Sequence, residues 1–454
     1  MLIHIAKKEI IEHVRSFRFV TAFLFILVTF LVMMLTRHFE YKSKYHDYLL
    51  RISAQEEALS KYANYNRIGG IKAPIVPPSP LEIIVDPAMP IVQGSPMDSS
   101  IDDDPFSKVK INMDIIALVG LLGSLLALLL SYDAINREVN EGTIRLLLSS
   151  GAPRMKIILG KIAGGSMAAI LPIVAIFIIL CIWFAIVGGQ PWGTSQWMSL
   201  LGIFLVSIIY VMFFYCLGAF VSSVITDHTL SALSCFGIWI LFVIVVPVIS
   251  PYIAKTTVKI PNPVQMQRQI NHIYNVERDE AVRAVFRELL AKGMPEQEIS
   301  GAIDYATINK PFNERVNALT QNYEKAAFTQ VMVSVATSCV SPYSAYMLAV
   351  EELSCLGIGR FSHLGNVTAN WSQLSGEYIK GKYEEARRLN PAHGLGSKLD
   401  LSDMPRFNYI DSGITFNYLR ALPFIALLFF YFLAPIFLYL QAYIRKKGIL
   451  RLSF

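Results

Sequence analysis

Charge is scarce in this chain. Of 454 residues only 16% are Asp, Glu, Lys or Arg, and 54% are hydrophobic. A soluble globular domain carries about a quarter charged residues. The shortage is local. Residues 19–36, 115–132, 162–188, 199–225, 230–253 and 422–444 contain no Asp, Glu, Lys, Arg or His at all. Each run is near the roughly 20 residues that cross a bilayer core. Six transmembrane helices are therefore predicted. Sheet is excluded from them, because an open edge does not survive in lipid and the runs are too long and uniform for barrel strands.

The missing charges also narrow the chemistry. Ion-coupled transport and proton relays need ionisable groups within the spans. Here Asp114, Asp133 and Arg420 only flank them. Intramembrane proteolysis lacks its carboxylate pair or zinc pattern. Cysteine is sparse as well. Cys181, Cys216 and Cys235 fall inside predicted spans and read as small apolar residues. Cys339 and Cys355 could pair in an oxidising compartment, but free thiols are expected. No Cys or His spacing resembles a metal site. No glycine-rich phosphate loop is present: "LLGSL", "ILGKIAGGS" and "LGSK" lack its spacing. The net charge of +6 comes without a basic stripe, so no nucleic-acid partner is expected. Neither metal nor cofactor is expected in this chain.

What is present is a topology. Residues 1–18, "MLIHIAKKEIIEHVRSFR", are amphipathic. Ile3, Ile5, Ile10, Ile11 and Val14 can share one helix face, with Lys7, Lys8, Glu9 and Glu12 on the other. That pattern predicts a helix lying in the membrane interface. No small-residue cleavage site follows, so the first run is expected to be a retained span. Lys and Arg collect in three places: Lys7, Lys8, Arg15 and Arg18; Arg137, Arg145, Arg154, Lys156 and Lys161; and Arg445, Lys446, Lys447 and Arg451. With six spans all three lie on one side, which the positive-inside rule makes the cytosol. Both termini are then cytosolic in a multi-pass cell (inner) membrane protein, in contact with membrane lipid. Residues 37–114 and 254–421 lie outside, 133–161 form a cytosolic loop, and 445–454 a basic tail.

The predicted fold class is therefore an all-α polytopic membrane protein: six spans, an N-terminal amphipathic interfacial helix and a mostly helical extracytoplasmic domain. The first outer segment begins as a helical continuation of the first span. It then turns rich in Gly and Pro, with "LEIIV" as a possible short strand and Asp102–Asp104 as a solvated acidic turn. In the second, Met266, Ile270, Ile273, Val282, Val285, Phe286, Leu289 and Leu290 recur at helical spacing up to a stop at Gly293. A longer helix is predicted from about Pro311. "SPYSAYMLAVEELSCLG" reads as Ser341 cap, Pro342 at the first position and Gly357 as stop. Residues 328–356 are apolar, but the break at Ser341-Pro342 and the pair Glu351-Glu352 predict two amphipathic helices resting on the outer leaflet.

The loop "NEGTIRLLLSSGAPRMKIILGK" is too polar for membrane and too apolar for a solvent loop. Gly142 permits a break, and Thr143 can cap a new helix. Ile144, Leu147 and Leu148 then share one face, with Arg145 beside them. Gly151 ends the helix and Pro153 opens the next. Two turns are not stable alone, so the face needs a surface: lipid, or a cytosolic partner.

This loop resembles the one between the second and third spans in permeases of the type-two ABC exporter superfamily. Glu141, Gly142, Thr143, Leu146, Leu147, Leu148, Ser149, Pro153, Arg154, Gly160 and Lys161 carry the resemblance. "SSGAPR" departs from the family's more compact turn. The two large outer segments resemble a prokaryotic subgroup with big extracytoplasmic insertions. The resemblance implies a non-catalytic half-transporter. It would dock cytosolic ABC ATPase subunits, which hold ATP and Mg, through a coupling helix of Glu141, Gly142, Thr143, Ile144, Arg145, Leu147 and Leu148, with Arg154 following. It also implies pairing with a second permease, as homodimer or heterodimer. An extracytoplasmic protein partner is a further expectation from the outer segments. The alternative from another class is a membrane-anchored scaffold or receptor acting through its outer domain without an ATPase.

Overall fold

The computed structural model describes residues 2–62, 74–87, 114–137, 154–187, 192–295, 299, 303, 305–389, 399–401 and 403–449. The described residues contain helices and no strand. They belong to two compact units. One comprises Met1–Gln93, Ile111–Val245 and Cys339–Phe454, the other Gly94–Lys110 and Val246–Ser338.

In the first unit α1 is Leu2–Arg15 and α2 is Phe17–Tyr62. Ser16 separates them. Its hydroxyl donates to the His13 carbonyl at 2.7 Å and accepts from the Phe19 N–H at 3.2 Å, closing one helix and capping the next. The 46 residues of α2 make a rod about 69 Å long at 1.5 Å per residue, twice the roughly 30 Å of a bilayer core. Helix α3 is Ile115–Ser131, α4 Arg154–Ile186, α5 Thr194–Val224 and α6 His228–Thr257, whose residues from Val246 on belong to the second unit. Helix α11 is Ile414–Ile449. Among the described residues, α2, α4, α5, α6 and α11 are long and apolar enough to cross a membrane, and α3 is apolar but shorter. These helices coincide in position with the six charge-free runs.

Two of them are not regular. Val119–Gly123 of α3 and Leu241–Val245 of α6 are π-helical turns. Small residues here serve close packing within the chain. A Cβ on Gly218 would meet the Ser131 hydroxyl, and one on Gly120 would lie 2.7 Å from the Tyr343 ring. The core is continuous through the bundle, with Phe30, Ile115, Leu180, Tyr210, Phe214 and Tyr346 fully buried. Phe25, Val32, Phe236, Phe430 and Phe437 point outward, as a lipid-facing surface requires.

Helix α9, Pro342–Leu353, corrects an expectation. Its Ser341 cap and Pro342 start are as predicted. It does not rest on a surface, however: Ala345, Tyr346, Ala349, Val350 and Leu353 have no exposure and pack against α5 and α11. The amphipathic reading failed because Glu351 and Glu352 stand at one end of α9 and do not form a polar face along it. Its stop also differs. The helix ends at Leu353, and Cys355, not Gly357, takes the left-handed conformation with φ 58°. All five cysteines are free. The Cys355 thiol lies 3.1 Å from the Ser412 hydroxyl.

Helix α10, Ile358–Leu389, runs on from there. A second small core of Ile379, Leu399 and Leu401 joins it to Leu59 near the end of α2. Arg406 pairs with Glu56 of α2 at 3.0 Å, and Trp371 meets the Phe407 ring edge-on. The foot of this assembly is ionic. Residues 80–83 form a 3-10 turn, so the strand expected at "LEIIV" is absent. Pro80 fits the first position of that turn and a Ser79–Glu82 capping box closes it. Arg37 of α2 donates to the Glu82 carbonyl at 2.7 Å, to Glu40 at 3.1 Å and to the Asp86 carboxylate. The Glu82 side chain receives Arg360 of α10 at 3.3 Å.

Asp114 caps α3, accepting from the Ala117 N–H at 2.6 Å and the Asp86 N–H at 2.9 Å. Burial pushes its carboxyl up to about 6 against those two hydrogen bonds. A raised acid favours the native state below the unfolded value near 3.9 and loses that contribution as pH rises through about 6. Lowering pH from about 7.5 to about 5 should therefore stabilise the wild type by about 1 kcal/mol relative to Asp114→Asn. Paired thermal unfolding at the two pH values measures it. Parallel curves for both proteins would refute it.

In the second unit, Pro263–His272, the π-turn Ile273–Glu277 and Arg278–Ala291 run on as one helix, α7. Asn262 caps it, and Gly293 ends it at φ +82°, as predicted. Helix α8, Tyr305–Ser338, starts earlier than expected and takes Pro311 inside it. Val246–Thr257 packs along α8, fixed by Gln330 donating to the Val258 carbonyl at 2.7 Å. Asp102–Asp104 lie outside the described residues.

Candidate functional site

The loop expected to carry the function is rooted in α3 and α4. Glu141, Gly142, Thr143, Ile144, Arg145, Leu147 and Leu148 lie outside the described residues. Arg154 is the first residue of α4. The two roots themselves are well defined, and α1 contacts both.

On the first root the chain leaves α3 through turns at Tyr132–Ile135. The Ser222 hydroxyl of α5 accepts from the N–H groups of Ile135 and Asn136, both at 3.1 Å. These two donors lie beyond the C-terminal end of α3, whose own unpaired groups are carbonyls, and the hydroxyl ties them to α5. Ser231 of α6 donates to the Tyr132 carbonyl at 2.7 Å. Arg18 at the start of α2 reaches Asp133 at 3.0 Å and the Tyr132 hydroxyl at 2.8 Å. Arg137, the last described residue before the loop, pairs with Glu12 of α1 at 2.8 Å.

On the second root α1 lies along the start of α4. Close approach is possible because α4 has Gly164 and Gly165 at the contact. A Cβ on Gly164 would lie 2.6 Å from the Ala6 carbonyl, and one on Gly165 would collide with the Tyr215 hydroxyl of α5. At this seam Lys161 donates to both oxygens of Glu9, at 2.9 and 3.1 Å. Glu9 is 5% exposed and Lys161 7%. His13 stands 3.6 Å from the same carboxylate. Burial pushes the Glu9 carboxyl up, but His13 and Lys161 outweigh it and hold the group below the usual carboxylate range. Ion pairs this dry are uncommon, and their geometry decides whether they are tolerated.

This seam revises the reading of α1. Glu9 was assigned to the polar face and Ile3 and Ile11 to the apolar one. The structure departs from this at Glu9, which it buries; Ile3 and Ile11, 78% and 41% exposed, keep the outward apolar face of an interfacial helix. Periodicity could not separate the two, because α1 uses one face for protein and retains apolar residues on another. The signal that marks the seam is the Gly-Gly pair at 164–165, which interrupts an apolar run and admits a neighbouring backbone.

Among the described residues no cluster of His, Cys, Asp or Glu could hold a metal ion. The described part of the candidate site is its two roots and a helix pinned to both by ion pairs and close packing.

Comparison with known families agrees with this architecture. Residues 3–356 match the family described as ABC-2 family transporter protein. The match runs from α1 to just beyond the end of α9. No curated protein matches the chain. With a helix bundle suited to a membrane and a family match over most of its length, the chain belongs to the ABC-2 transporter family, as a multi-pass membrane permease component of an ABC transporter.

Proposed function

We propose that the chain is the membrane half of an ATP-driven exporter, docking a separate cytosolic ATPase through the coupling helix of the loop 133–161 and passing its stroke to the spans. ATP and Mg belong to the partner chain. The observation that carries this reading is the double attachment of α1, through Glu12 to Arg137 before the loop and through Glu9 to Lys161 after it. A loop that receives force needs both roots fixed to one rigid body; otherwise the load would bend the loop and not move the helices. Family membership supports association with ABC ATPase subunits.

In this reading α3 is the sixth span, both termini are cytosolic, and a second permease completes the transporter. Helix α10 and the end of α2 face outside, where they meet cargo or a protein partner. The charge-free spans suit an amphipathic or lipid-like cargo, or transmission of force without a cargo crossing the bilayer.

The test is co-purification with a cognate ABC ATPase subunit expressed together with this chain. Glu141→Ala combined with Leu147→Asp should reduce retention of the ATPase at least tenfold, as expected when about 1.4 kcal/mol or more of binding is lost. Undiminished retention by a correctly folded variant would refute docking at this loop.

A further inference from the structure

Helix α9 begins in the middle of the bundle. Its cap residue Ser341 accepts from the Ser344 N–H at 3.2 Å and donates to the Phe242 carbonyl. Phe242 lies near the middle of α6, inside the π-turn Leu241–Val245. Tyr431 of α11 donates to the Cys339 carbonyl at 2.7 Å. Tyr346 shares a 3.0 Å hydrogen bond with Ser207 and stacks on Tyr210, ring centres 4.4 Å apart, near the middle of α5. At its other end Leu353 touches Gly202, close to the start of α5. That start lies on the side away from loop 138–153, since α4 runs from the loop to the turn before α5. Helix α9 thus fills only the half of the bundle opposite the loop.

Its seat is built from both irregular turns. Ser341 bonds the carbonyl in one. In the other, Gly120 receives the Tyr343 ring where a side chain would be, and its carbonyl accepts from the Tyr210 hydroxyl at 2.9 Å. The Ser124 hydroxyl just after that turn accepts from the Trp239 indole at 2.9 Å, tying α3 to α6 behind the seat. A π-turn is a local departure from the helical ladder and occurs most often at functional sites. Two such turns, in different spans, against one half-length helix make a seat whose hydrogen bonds depend on the wide form of each turn. Tightening either turn to α-helix would withdraw a carbonyl or crowd Tyr343.

We propose that α9 is a releasable plug: it seals the half of the bundle opposite the loop, and its release is coupled to π-to-α conversion in α3 and α6. This goes beyond the docking reading and does not depend on it. Release exposes a groove lined by Tyr210, Phe213 and Tyr431 and edged by hydroxyls, of half-membrane length. Helices α3 and α6 are the elements that Ser231 ties together beside the loop's first root, so movement there can reach the seat.

The experiment uses the full chain alone in nanodiscs and in liposomes, without ATPase. Hydrogen exchange of the wild type should show α9 opening as a unit before α5 at the same depth. Ser341→Ala removes the donor to Phe242 and the cap; it should speed exchange in α9 about ten- to thirtyfold, the shift expected for two lost hydrogen bonds. It should also raise leak of a small entrapped dye. Ser341→Thr, which keeps the hydroxyl, should restore the wild-type rates. Exchange of α9 only with global unfolding in the wild type would overturn the proposal, whatever the variants do. So would a Ser341→Ala protein with wild-type exchange and no leak.

Discussion

Arg37→Met is expected to be among the most destabilising single substitutions in the chain, by about 3–5 kcal/mol, because it breaks a buried ion pair from one side only. Arg37 is 8% exposed and serves three acceptors on two segments: Glu40 within α2, and Asp86 and the Glu82 carbonyl in the strap 74–87. Without it, Asp86 is left beside the buried Asp114 with no cation, and the strap loses its attachment to α2. Arg37→Lys should recover little, since an ammonium cannot present the same fork of donors. The midpoint of thermal unfolding in detergent measures the loss. Combining Arg37→Met with Asp86→Asn should cost less than the sum of the two changes, because the stranded carboxylate is then neutral. A midpoint for Arg37→Met within error of the wild type would show that the clasp contributes nothing to stability.

The second large effect is expected at Lys161. Lys161→Met leaves Glu9 in a dry seam with only His13 beside it, again at about 3–5 kcal/mol. The damage should be local. Helix α1 should lose protection against hydrogen exchange and become a substrate for trypsin at Lys7 and Lys8, while the core of α5 keeps its protection. Exchanging the charges, with Glu9→Lys and Lys161→Glu together, should return most of the protection. The wild type should also respond to acid. A carboxyl held below its ordinary value contributes stability above that value and loses it as pH falls through the folded one. Protection of α1 should therefore decline in acid in the wild type and not in Lys161→Met. If the charge-exchanged pair is no better than either single change, the pair is not what holds α1.

Much of the membrane part was legible because lipid imposes a simple rule. Six charge-free runs can only be helices at that length, and the observed helices fall where those runs are. Capping chemistry was equally local, so Gly293, Ser341 and Pro342 could be read directly. What could not be read was contact between distant segments. The pairs Glu9–Lys161 and Glu82–Arg360 join residues far apart in sequence, and nothing in their neighbourhoods fixes the partner. Helix α9 was misplaced for a related reason. Its composition fits a surface helix with an acidic end, and only the tyrosines waiting on α5 and the gap at Gly120 give it an interior seat. The seven loop residues Glu141–Arg145, Leu147 and Leu148, singled out by sequence, lie outside the described residues, so their roles rest on the docking experiment. The structure adds the roots on either side, whose joining through α1 no local pattern marks.

The length of α2 sets a scale for motion. Roughly half of its 46 residues extend past the thickness of a bilayer, about 39 Å of rigid rod. Any rotation of the buried half is magnified along that arm, with about 0.7 Å of sideways travel at the tip per degree of tilt. A tilt of ten degrees, small enough to be absorbed by side-chain repacking inside the bundle, sweeps the tip through about 7 Å, more than a helical turn. At the tip Leu59 packs on the cluster that holds Ile379 of α10 and Glu56 pairs with Arg406 beyond that helix, and at the foot Glu82 links Arg37 of the arm to Arg360 of α10. A rod of this length therefore turns a small tilt at one end into a large displacement at the other.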